Sequence, residues 1–265
     1  MPNRAHFTII INVNIVLFDE NEIGQPLKNT DERAKHILQI LHLCEGDTFE
    51  AGIVGKSCGK ATIKKIESGQ ISFDYTADLT QSGKPLFPVT LVVGFVRPIQ
   101  LRRLFRDVAS LGVQKLVLCA TQLGEKSYQQ SNIVQQATDL LREGTVQAKS
   151  VFVPDFENCD NLQKCLTNIS KNQNQVLIAL DNVRAHSSLT EFLAKNYNAQ
   201  TDKGKNIVAA IGSERGWTES ERDLLENFGF TLCSMGERVL RTETAATVAT
   251  SIIMEKIGAL GGNNE

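Results

Sequence analysis

From residue 89 onward, short apolar runs alternate with stretches of helical periodicity. Residues 89–95, 113–119, 176–180 and 207–211 are apolar runs typical of buried parallel strands. Residues 100–111 place leucine, phenylalanine and valine every three or four positions, as an amphipathic helix does. Because this alternation continues over about 175 residues, it predicts an α/β domain with a mostly parallel sheet and helices on both faces.

The remaining elements of this region follow from the same pattern. We expect helices at residues 133–147, 162–169 and 244–257 and around Leu189, Phe192 and Leu193, and strands at residues 151–153 and 230–234. The helix at 244–257 is apolar on more than one face. A helix of this kind needs a second surface to cover it, which predicts a homodimer.

Residues 1–80 differ, because short strand-like runs there are separated by glycine, aspartate and lysine turns. We expect strands at residues 9–16, 48–54, 60–66 and 70–75. One helix interrupts them, and Thr30 is the expected cap of its first turn. Strands with a single helix predict a small barrel-like β domain at residues 1–80. A cluster of turn-forming residues at 79–88 separates it from a second domain at residues 88–265.

Composition restricts the possible ligands and compartments. The formal net charge is −2, so the chain lacks the global positive field that often marks a nucleic-acid-binding protein, and a basic site must be local. Six cysteines form no Cys-x-x-Cys pair, and four histidines do not lie at ligand spacing from them. We therefore expect reduced thiols, a cytoplasmic protein and no metal site. Asn12 and Asn14 interrupt the apolar residues 7–18, which indicates a strand, and we expect no membrane span.

Two glycine-bearing loops near the C-terminus concentrate polar residues. Residues 211–217 read Ile-Gly-Ser-Glu-Arg-Gly-Trp, and residues 235–245 read Met-Gly-Glu-Arg-Val-Leu-Arg-Thr-Glu-Thr-Ala. Each follows an apolar strand and precedes a helix, and Thr218 with Glu221 predicts a capping box on the first helix. We expect both loops at the carboxyl ends of adjacent strands, where open α/β sheets bind ligands. Dinucleotide, P-loop and nucleophile-elbow motifs are absent from the sequence.

The two loops resemble the signature loops of the RsmE-type ribosomal RNA uridine-N3 methyltransferases of the SPOUT superfamily. The family pattern is approximately Ile-Gly-Pro-Glu-Gly-Gly-Phe, followed by Leu-Gly-x-Arg-Ile-Leu-Arg-Thr-Glu-Thr-Ala. The resemblance implies a SPOUT domain with a trefoil knot, a small N-terminal PUA-like RNA-binding β-barrel, S-adenosylmethionine as cofactor and a homodimer. It implies ribosomal RNA of the small subunit as substrate, with N3 of a uridine as the methylated atom.

The resemblance also assigns roles to residues. For the cofactor it implies a pocket formed by Leu180, Ile211, Gly212, Gly216, Met235, Gly236, Leu240, Thr244 and Ala245. Arg241 is the candidate for stabilising negative charge on the base or holding a phosphate. Glu243 or Glu214 is the candidate for accepting a proton or positioning Arg241, although both could simply be carboxylates favoured near helix starts.

RNA contacts are expected around the first helix of the second domain. Arg97, Arg102, Arg103 and Arg106 could form a phosphate-binding stripe, or the solvated face of an amphipathic helix. The sequence departs from the family pattern at Gln39, His42, Asp107 and Ser150. Near the first two departures, phosphate could instead be bound by Lys56, Lys60, Lys64 and Lys65, which could equally be solvated lysines.

Two other functions remain open at this stage. One is a SPOUT methyltransferase with a different ribosomal or transfer RNA nucleotide as substrate; residues 181–185 faintly resemble the first motif of the ribose 2′-O class. The other is a non-catalytic RNA-binding relative. Cofactor binding would separate the second from both enzymes, and nucleoside mass spectrometry would separate the two enzymes.

Overall fold

The computed structural model describes residues 14–170 and 174–261. The chain divides into two compact units. The first contains residues 14–85 and a short return at residues 149–152, and the second contains residues 86–148 and 153–261. The return was not foreseen from the sequence.

The first unit is built on a sheet of five strands among its described residues, in the order β1-β3-β4-β5-β2. The strands are β1 (Val16–Phe18), β2 (Leu27–Lys28), β3 (Thr48–Ile53), β4 (Ser57–Glu67) and β5 (Gln70–Ala77). Alternate residues of β4 and β5 face an apolar core that includes Ile63, Ile71 and Phe73. The expected strand at residues 9–16 lies largely outside the described residues, and only its last residue belongs to β1.

The helix of the first unit begins one residue later than expected. Asp31, and not Thr30, is the N-cap, because its carboxylate accepts a hydrogen bond from Arg33 N at 2.8 Å. The α-helical turn α1 (Glu32–Lys35) continues as a π-helix over His36–Ile40. Both Asp and Thr are good N-caps, so the sequence alone did not distinguish these neighbouring positions.

The second unit is an α/β fold, as expected. Its described residues form a sheet of seven strands in which every pairing is parallel, in the order β10-β12-β9-β11-β6-β7-β8. The strands are β6 (Phe87–Gly94), β7 (Val113–Cys119), β8 (Asp155–Cys159), β9 (Gln175–Leu180), β10 (Ser187–Ser188), β11 (Asn206–Ile211) and β12 (Thr231–Ser234).

Helices cover both faces of this sheet. They are α2 (Pro98–Ser110), α3 (Lys126–Gln129), α4 (Asn132–Gln135), α5 (Ala137–Gln147), α6 (Leu162–Ile169), α7 (Leu189–Asn196), α8 (Glu219–Asn227) and α9 (Thr242–Lys256). One apolar core contains residues of α2, α5, α7 and α9, and a second contains residues of α6 and α8. Alternate residues of β6, such as Leu91 and Val92, point into opposite cores, which explains why these strands are apolar throughout.

Two expectations for the middle of this unit were wrong. Residues 151–153 form no strand; the strand is β8, four residues later. Val151 is apolar because it is buried in the first unit, where its N–H donates to Gly83 O at 3.1 Å and its carbonyl accepts from Gly55 N at 2.8 Å. The helix expected at 133–147 is interrupted at Gln136, which separates α4 from α5.

The six cysteines are free thiols, and all except Cys44 are buried. Burial raises the pKa of Cys233 to about 11 and that of Cys159 to about 12. In residues 14–170 and 174–261, no helix combines the length and apolar character needed to cross a membrane. The same residues contain no cluster of His, Cys, Asp and Glu suited to a metal ion.

Candidate active site

The two glycine loops follow β11 and β12, but these strands are not neighbours. β9 lies between them, paired with both, so the expected adjacency was wrong. The sequence could not reveal this, because β12 follows β11 along the chain and pairs with an earlier strand. The consequence is that three loops, those after β9, β11 and β12, meet at one edge of the sheet.

These three loops enclose a cavity of about 220 Å³. It is lined by Leu180, Asp181, Asn182, Ile211, Gly212, Ser213, Glu214, Arg215, Gly216, Met235, Gly236, Arg238, Val239, Leu240, Thr242 and Ala245. Eight of the nine expected cofactor-binding residues are among them. Thr244 is exposed on α9 and does not line the cavity, whereas Thr242, two residues earlier, does.

Close backbone approach explains two glycines at this edge. A Cβ on Gly212 would lie 2.8 Å from the carbonyl carbon of Gly216, inside the turn of the β11 loop. A Cβ on Gly94, the last residue of β6, would lie 2.4 Å from Ser213 N. Side chains at either position would therefore push the β11 loop out of place.

Hydrogen bonds from buried side chains hold the loops together. Trp217 Nε1 donates to Leu180 O at 2.9 Å, which ties the β11 loop to the end of β9. The expected capping box is present: Thr218 N donates to Glu221 Oε2 at 2.9 Å, and Glu221 N donates to Thr218 Oγ1 at 3.2 Å. The other oxygen of Glu221 accepts from Gln122 N at 2.8 Å, so the loop after β7 is fixed to the same helix start.

A buried ion pair holds Asp181, a residue of the cavity wall. Arg222 donates from Nε and Nη2 to the two oxygens of Asp181, each at 3.1 Å, and the two side chains are 7% and 1% exposed. Asp181 also accepts from Arg184 N at 2.6 Å. Burial opposes ionisation of Asp181, but these hydrogen bonds outweigh it, so its pKa lies below the usual value. The pair fixes the β9 loop to α8.

One polar atom of the cavity wall has no partner. Ser213 is 5% exposed, and its Oγ is buried without a hydrogen-bond partner among the described residues. A buried hydroxyl in this state is costly unless a ligand satisfies it. Ser213 stands where the family pattern has proline. The sequence identified the loop but could not show that this hydroxyl is unsatisfied.

A second cavity, of about 360 Å³, adjoins the first. It is lined by Arg97, Gln100, Glu214, Val239, Leu240, Arg241, Thr242 and Glu243. Four of these residues also line the first cavity, so the loop at residues 239–242 and Glu214 form a wall between the two. The three expected catalytic residues, Arg241, Glu243 and Glu214, therefore lie together here. Gln100 was not foreseen, because nothing in the sequence around it marks a site.

Charge pairing around the two cavities is incomplete. Glu214 lies 3.6 Å from Arg97 Nε and forms its ion pair there, and not with Arg241. Within residues 14–170 and 174–261, Arg215, Arg238 and Arg241 have no ion-pair partner, and all three are exposed. These guanidinium groups remain available to an anionic ligand.

The four arginines expected to bind RNA do not share one environment. Arg97 lines the second cavity. Arg102 donates to Gln136 Oε1 at 3.0 Å, Arg106 donates to Glu143 Oε2 at 2.6 Å, and Arg103 is exposed. Arg102 and Arg106 therefore fasten α2 to the α4–α5 region.

The four residues that depart from the family pattern, Gln39, His42, Asp107 and Ser150, lie in different environments. Ser150 is buried, and its hydroxyl donates to Lys84 O at 2.9 Å, so it fixes the return of the chain in the first unit. His42 has a positive φ of 53° just after the π-helix, and Gln39 is exposed. Partial burial raises the pKa of Asp107, against the opposing effect of Arg103. None of the four lines either cavity at the sheet edge.

Comparison with known proteins gives a consistent family. Residues 82–254 match the model of the RNA methyltransferase domain. The chain is 35% identical over 253 residues to the ribosomal RNA small subunit methyltransferase E of Treponema pallidum, covering 91% of each chain. It is 31% identical over 243 residues to ribosomal RNA small subunit methyltransferase E 1 of Borreliella burgdorferi, covering 91% of this chain and 97% of the relative.

Solved structures share the fold. The ribosomal RNA small subunit methyltransferase E of Neisseria gonorrhoeae, bound to S-adenosyl methionine, has a TM-score of 0.75 at 18% identity, covering 92% of this chain and 97% of its own. A probable rRNA-methyltransferase from Porphyromonas gingivalis has a TM-score of 0.77 at 17% identity, covering 93% and 99%. From the family model and the two relatives above 30% identity, the chain belongs to the ribosomal RNA small subunit methyltransferase E family.

Proposed function

We propose that this protein transfers the methyl group of S-adenosylmethionine to N3 of a uridine in 16S ribosomal RNA of the small subunit. The observation that carries the proposal is the cavity formed by the loops after β9, β11 and β12, in a member of this family. A neighbouring cavity with Arg241 and two carboxylates is available for the RNA nucleotide.

The residues of the first cavity fit the proposed cofactor. Apolar side chains that could enclose an adenine ring are contributed by Leu180, Ile211, Met235, Leu240 and Ala245. Gly212 and Gly216 leave backbone groups accessible to polar edges, and the unsatisfied hydroxyl of Ser213 offers a hydrogen bond. When bound, S-adenosylmethionine supplies an electrophilic methyl group, so the protein must orient the acceptor and help to remove its proton.

Arg241 is the proposed electrostatic catalyst. Loss of the imide proton of uridine leaves negative charge on the base, and a guanidinium group without a competing carboxylate can stabilise that charge. Arg241 lines the second cavity and has no ion-pair partner in the described part of the chain. It lies beside the loop wall shared with the first cavity, so it could act where the two ligands meet.

The carboxylates differ in their pairing, and this favours one as the proton acceptor. Glu214 is engaged with Arg97. Glu243 lines the same cavity and forms no ion pair within residues 14–170 and 174–261. We assign Glu243 as the group that takes the imide proton and Glu214 as the group that positions Arg97.

RNA would be held by exposed arginines of the second unit, and the N-terminal unit would be a further RNA-binding unit. Arg215 and Arg238 at the first cavity are the proposed phosphate contacts, with Arg97 and Arg103 as additional ones. N3 of a paired uridine is hidden, so the target nucleotide must leave its stack. We assign the first unit as a PUA-like RNA-binding domain from the resemblance; its described residues form a five-stranded sheet.

Two features of the fold are proposed from the resemblance. One is a trefoil knot in the C-terminal segment, which we propose from the resemblance alone. The other is a homodimer through α9, whose Val248 is 38% exposed. Light scattering at micromolar concentration should give twice the chain mass of 29.2 kDa, and a mass near 29.2 kDa would refute the dimer.

The function is tested in the host. Deletion of the gene should remove a 3-methyluridine from 16S ribosomal RNA, and a plasmid copy of the wild-type gene should restore it, as measured by mass spectrometry of mapped RNA fragments. If 3-methyluridine persists and another methylated nucleoside disappears, the activity belongs to that nucleoside. If no methylated nucleoside changes, the protein is a non-catalytic relative.

A further inference from the structure

The second cavity contains an acceptor atom that the protein leaves without a donor. Gln100 Oε1 is buried and has no hydrogen-bond partner among the described residues. Gln100 lies in the first turn of α2 and contributes to the cavity wall with Arg97, Arg241 and Glu243. An orphan amide oxygen costs stability, so its position beside this cavity suggests a bound group that satisfies it.

The walls of this cavity suit a nucleotide. Its volume is about 360 Å³. Arg241, which has no ion-pair partner among the described residues, provides a cationic group for an anionic ligand, while Val239, 79% exposed, and Leu240 provide apolar surface for a flat base.

The cavity also has the required relation to the proposed cofactor site. The two cavities share Glu214, Val239, Leu240 and Thr242. The two cavities therefore meet at these shared residues. Methyl transfer requires the methyl group and the acceptor nitrogen to come within about 3–3.5 Å of each other, so the two ligands must meet past the side chains of this loop.

We propose that the second cavity binds the target uridine nucleotide and that Gln100 Oε1 accepts a hydrogen bond from it. This rests on the proposed function. Two groups of a uridine nucleotide can donate to Gln100, the imide N3–H and the ribose 2′-hydroxyl. The first would make Gln100 a determinant of base identity in the initial complex, before the imide proton passes to the Glu243 carboxylate and leaves N3 free to accept the methyl group. The second would make it a determinant of RNA against DNA.

The first test replaces the amide by an apolar group of similar shape. Gln100→Met removes the orphan acceptor, so the melting temperature should stay unchanged or rise, because no protein hydrogen bond is lost. Affinity for S-adenosylmethionine should remain within about twofold, while kcat/KM on 16S ribosomal RNA from the deletion strain should fall about tenfold, mainly through KM. The matched control is Gln163→Met on the exposed surface of α6, which should match the wild type.

The second test identifies the donor. Uridine, 2′-deoxyuridine and 3-methyluridine 5′-monophosphates are titrated at millimolar concentration into the wild type and Gln100→Met, with S-adenosylhomocysteine present. The wild type should bind uridine monophosphate several-fold more tightly than the analogue that lacks the donor, and Gln100→Met should remove the difference. If 3-methyluridine monophosphate binds more weakly, the imide N3–H is the donor to Gln100. If 2′-deoxyuridine monophosphate binds more weakly, the donor is the ribose 2′-hydroxyl.

The outcomes separate this inference from the proposed function. A wild-type protein that methylates RNA, with Gln100→Met equally active, overturns the inference alone. A lower melting temperature together with weaker cofactor binding in Gln100→Met would assign Gln100 a structural role and overturn the inference. Equal binding of all three nucleotides by the wild type, or binding of none of them, would also overturn it. A wild type that neither binds S-adenosylmethionine nor methylates RNA removes the proposed function, and the inference with it.

Discussion

Three of the four lysines considered for RNA binding in the N-terminal unit are ion-paired, whereas three arginines at the cavities of the second unit are not, among the described residues. In the N-terminal unit, Lys64 lies 2.8 Å from Asp74, Lys65 lies 2.7 Å from Glu67, and Lys56 is paired with Glu20. Around the cavities of the second unit, Arg215, Arg238 and Arg241 have no such partner among the described residues. A count of positive charges therefore does not identify an anion-binding site. What matters is which charges the protein has left unpaired.

Arg33 of the first unit is paired even more extensively than these lysines. It contacts Glu22 Oε1 at 2.6 Å and Asp31 Oδ2 at 2.8 Å, donates to Leu17 O at 3.0 Å, and lies 5.1 Å from the centre of the Phe18 ring. The hydrogen bonds from Glu22 and Asp31 raise its pKa further above the ordinary arginine value. Arg33 is therefore a structural residue of the first unit, whereas Arg241 is a functional candidate in the second.

The largest effect is expected from breaking the buried ion pair between Asp181 and Arg222. Asp181→Ala leaves the buried Arg222 without its main partner and should lower the free energy of unfolding by about 3–5 kcal/mol. The control is Asp223→Ala, which removes an exposed partner of Arg184 and should cost less than about 1 kcal/mol. Urea titration at neutral pH measures both. Equal losses of unfolding free energy in the two variants would contradict the conclusion that burial makes the Asp181–Arg222 pair the more important one for stability.

The same pair predicts a dependence on pH. Because the pKa of Asp181 is lowered in the folded protein, its ionisation adds stability above the unfolded value of about 3.9. That contribution is lost as the pH falls through the lower folded pKa. The stability difference between the wild type and Asp181→Ala should therefore shrink below about pH 4.

Arg241→Ala should have the next largest effect. Removing a preorganised cationic group should lower kcat by about 100-fold or more. Affinity for S-adenosylmethionine should stay within a few fold, because Arg241 is proposed to act on the base or the RNA. Single-turnover methylation and isothermal titration measure the two quantities. Loss of both the methylation rate and the cofactor affinity would refute the assignment of Arg241 to the base or the RNA.

A smaller effect is expected from removing the Ser213 hydroxyl, which has no hydrogen-bond partner among the described residues. Ser213→Ala should weaken S-adenosylmethionine binding by about threefold to tenfold, since one hydrogen bond to the ligand is lost. The melting temperature of the free protein should not fall, because Oγ has no partner within the described residues. Ser82→Ala, at an exposed serine of the first unit, is the control. Unchanged affinity would mean that the hydroxyl does not contact the cofactor.

The smallest effect tests whether local ion pairing decides which positive charges contact RNA. Arg215→Ala should reduce the slope of log binding constant for RNA against log salt concentration by about 1, as expected for one lost phosphate contact. Lys64→Ala should leave the slope unchanged, because Lys64 is engaged with Asp74. Equal changes in both variants would show that local pairing does not determine which charges meet RNA.

The sequence predicted the elements that depend on local patterns. The buried strands β7, β9 and β11 and the capping box of Thr218 and Glu221 were expected within a residue or two, because apolar runs and caps are encoded over short distances. The loops at residues 211–217 and 235–245 could be identified because their glycines and charged residues exceed what a turn requires.

Long-range features could not be predicted in this way. The insertion of β9 between β11 and β12 depends on strand order, and the burial of Val151 depends on a contact with a distant segment. Asp181 could have been suspected, because it follows the carboxyl end of a strand. The unsatisfied atoms of Ser213 and Gln100 needed coordinates, since neither residue type is unusual in a loop or a helix.

The most direct test of the central claim uses a labelled methyl group. Purified protein is incubated with 16S ribosomal RNA from the deletion strain and S-adenosylmethionine that carries a trideuterated methyl group, and the digested nucleosides are analysed by mass spectrometry. The account predicts trideuterated 3-methyluridine with the wild type and little or none with Arg241→Ala. Label in a different nucleoside, or no label in RNA while the protein binds the cofactor, would contradict it.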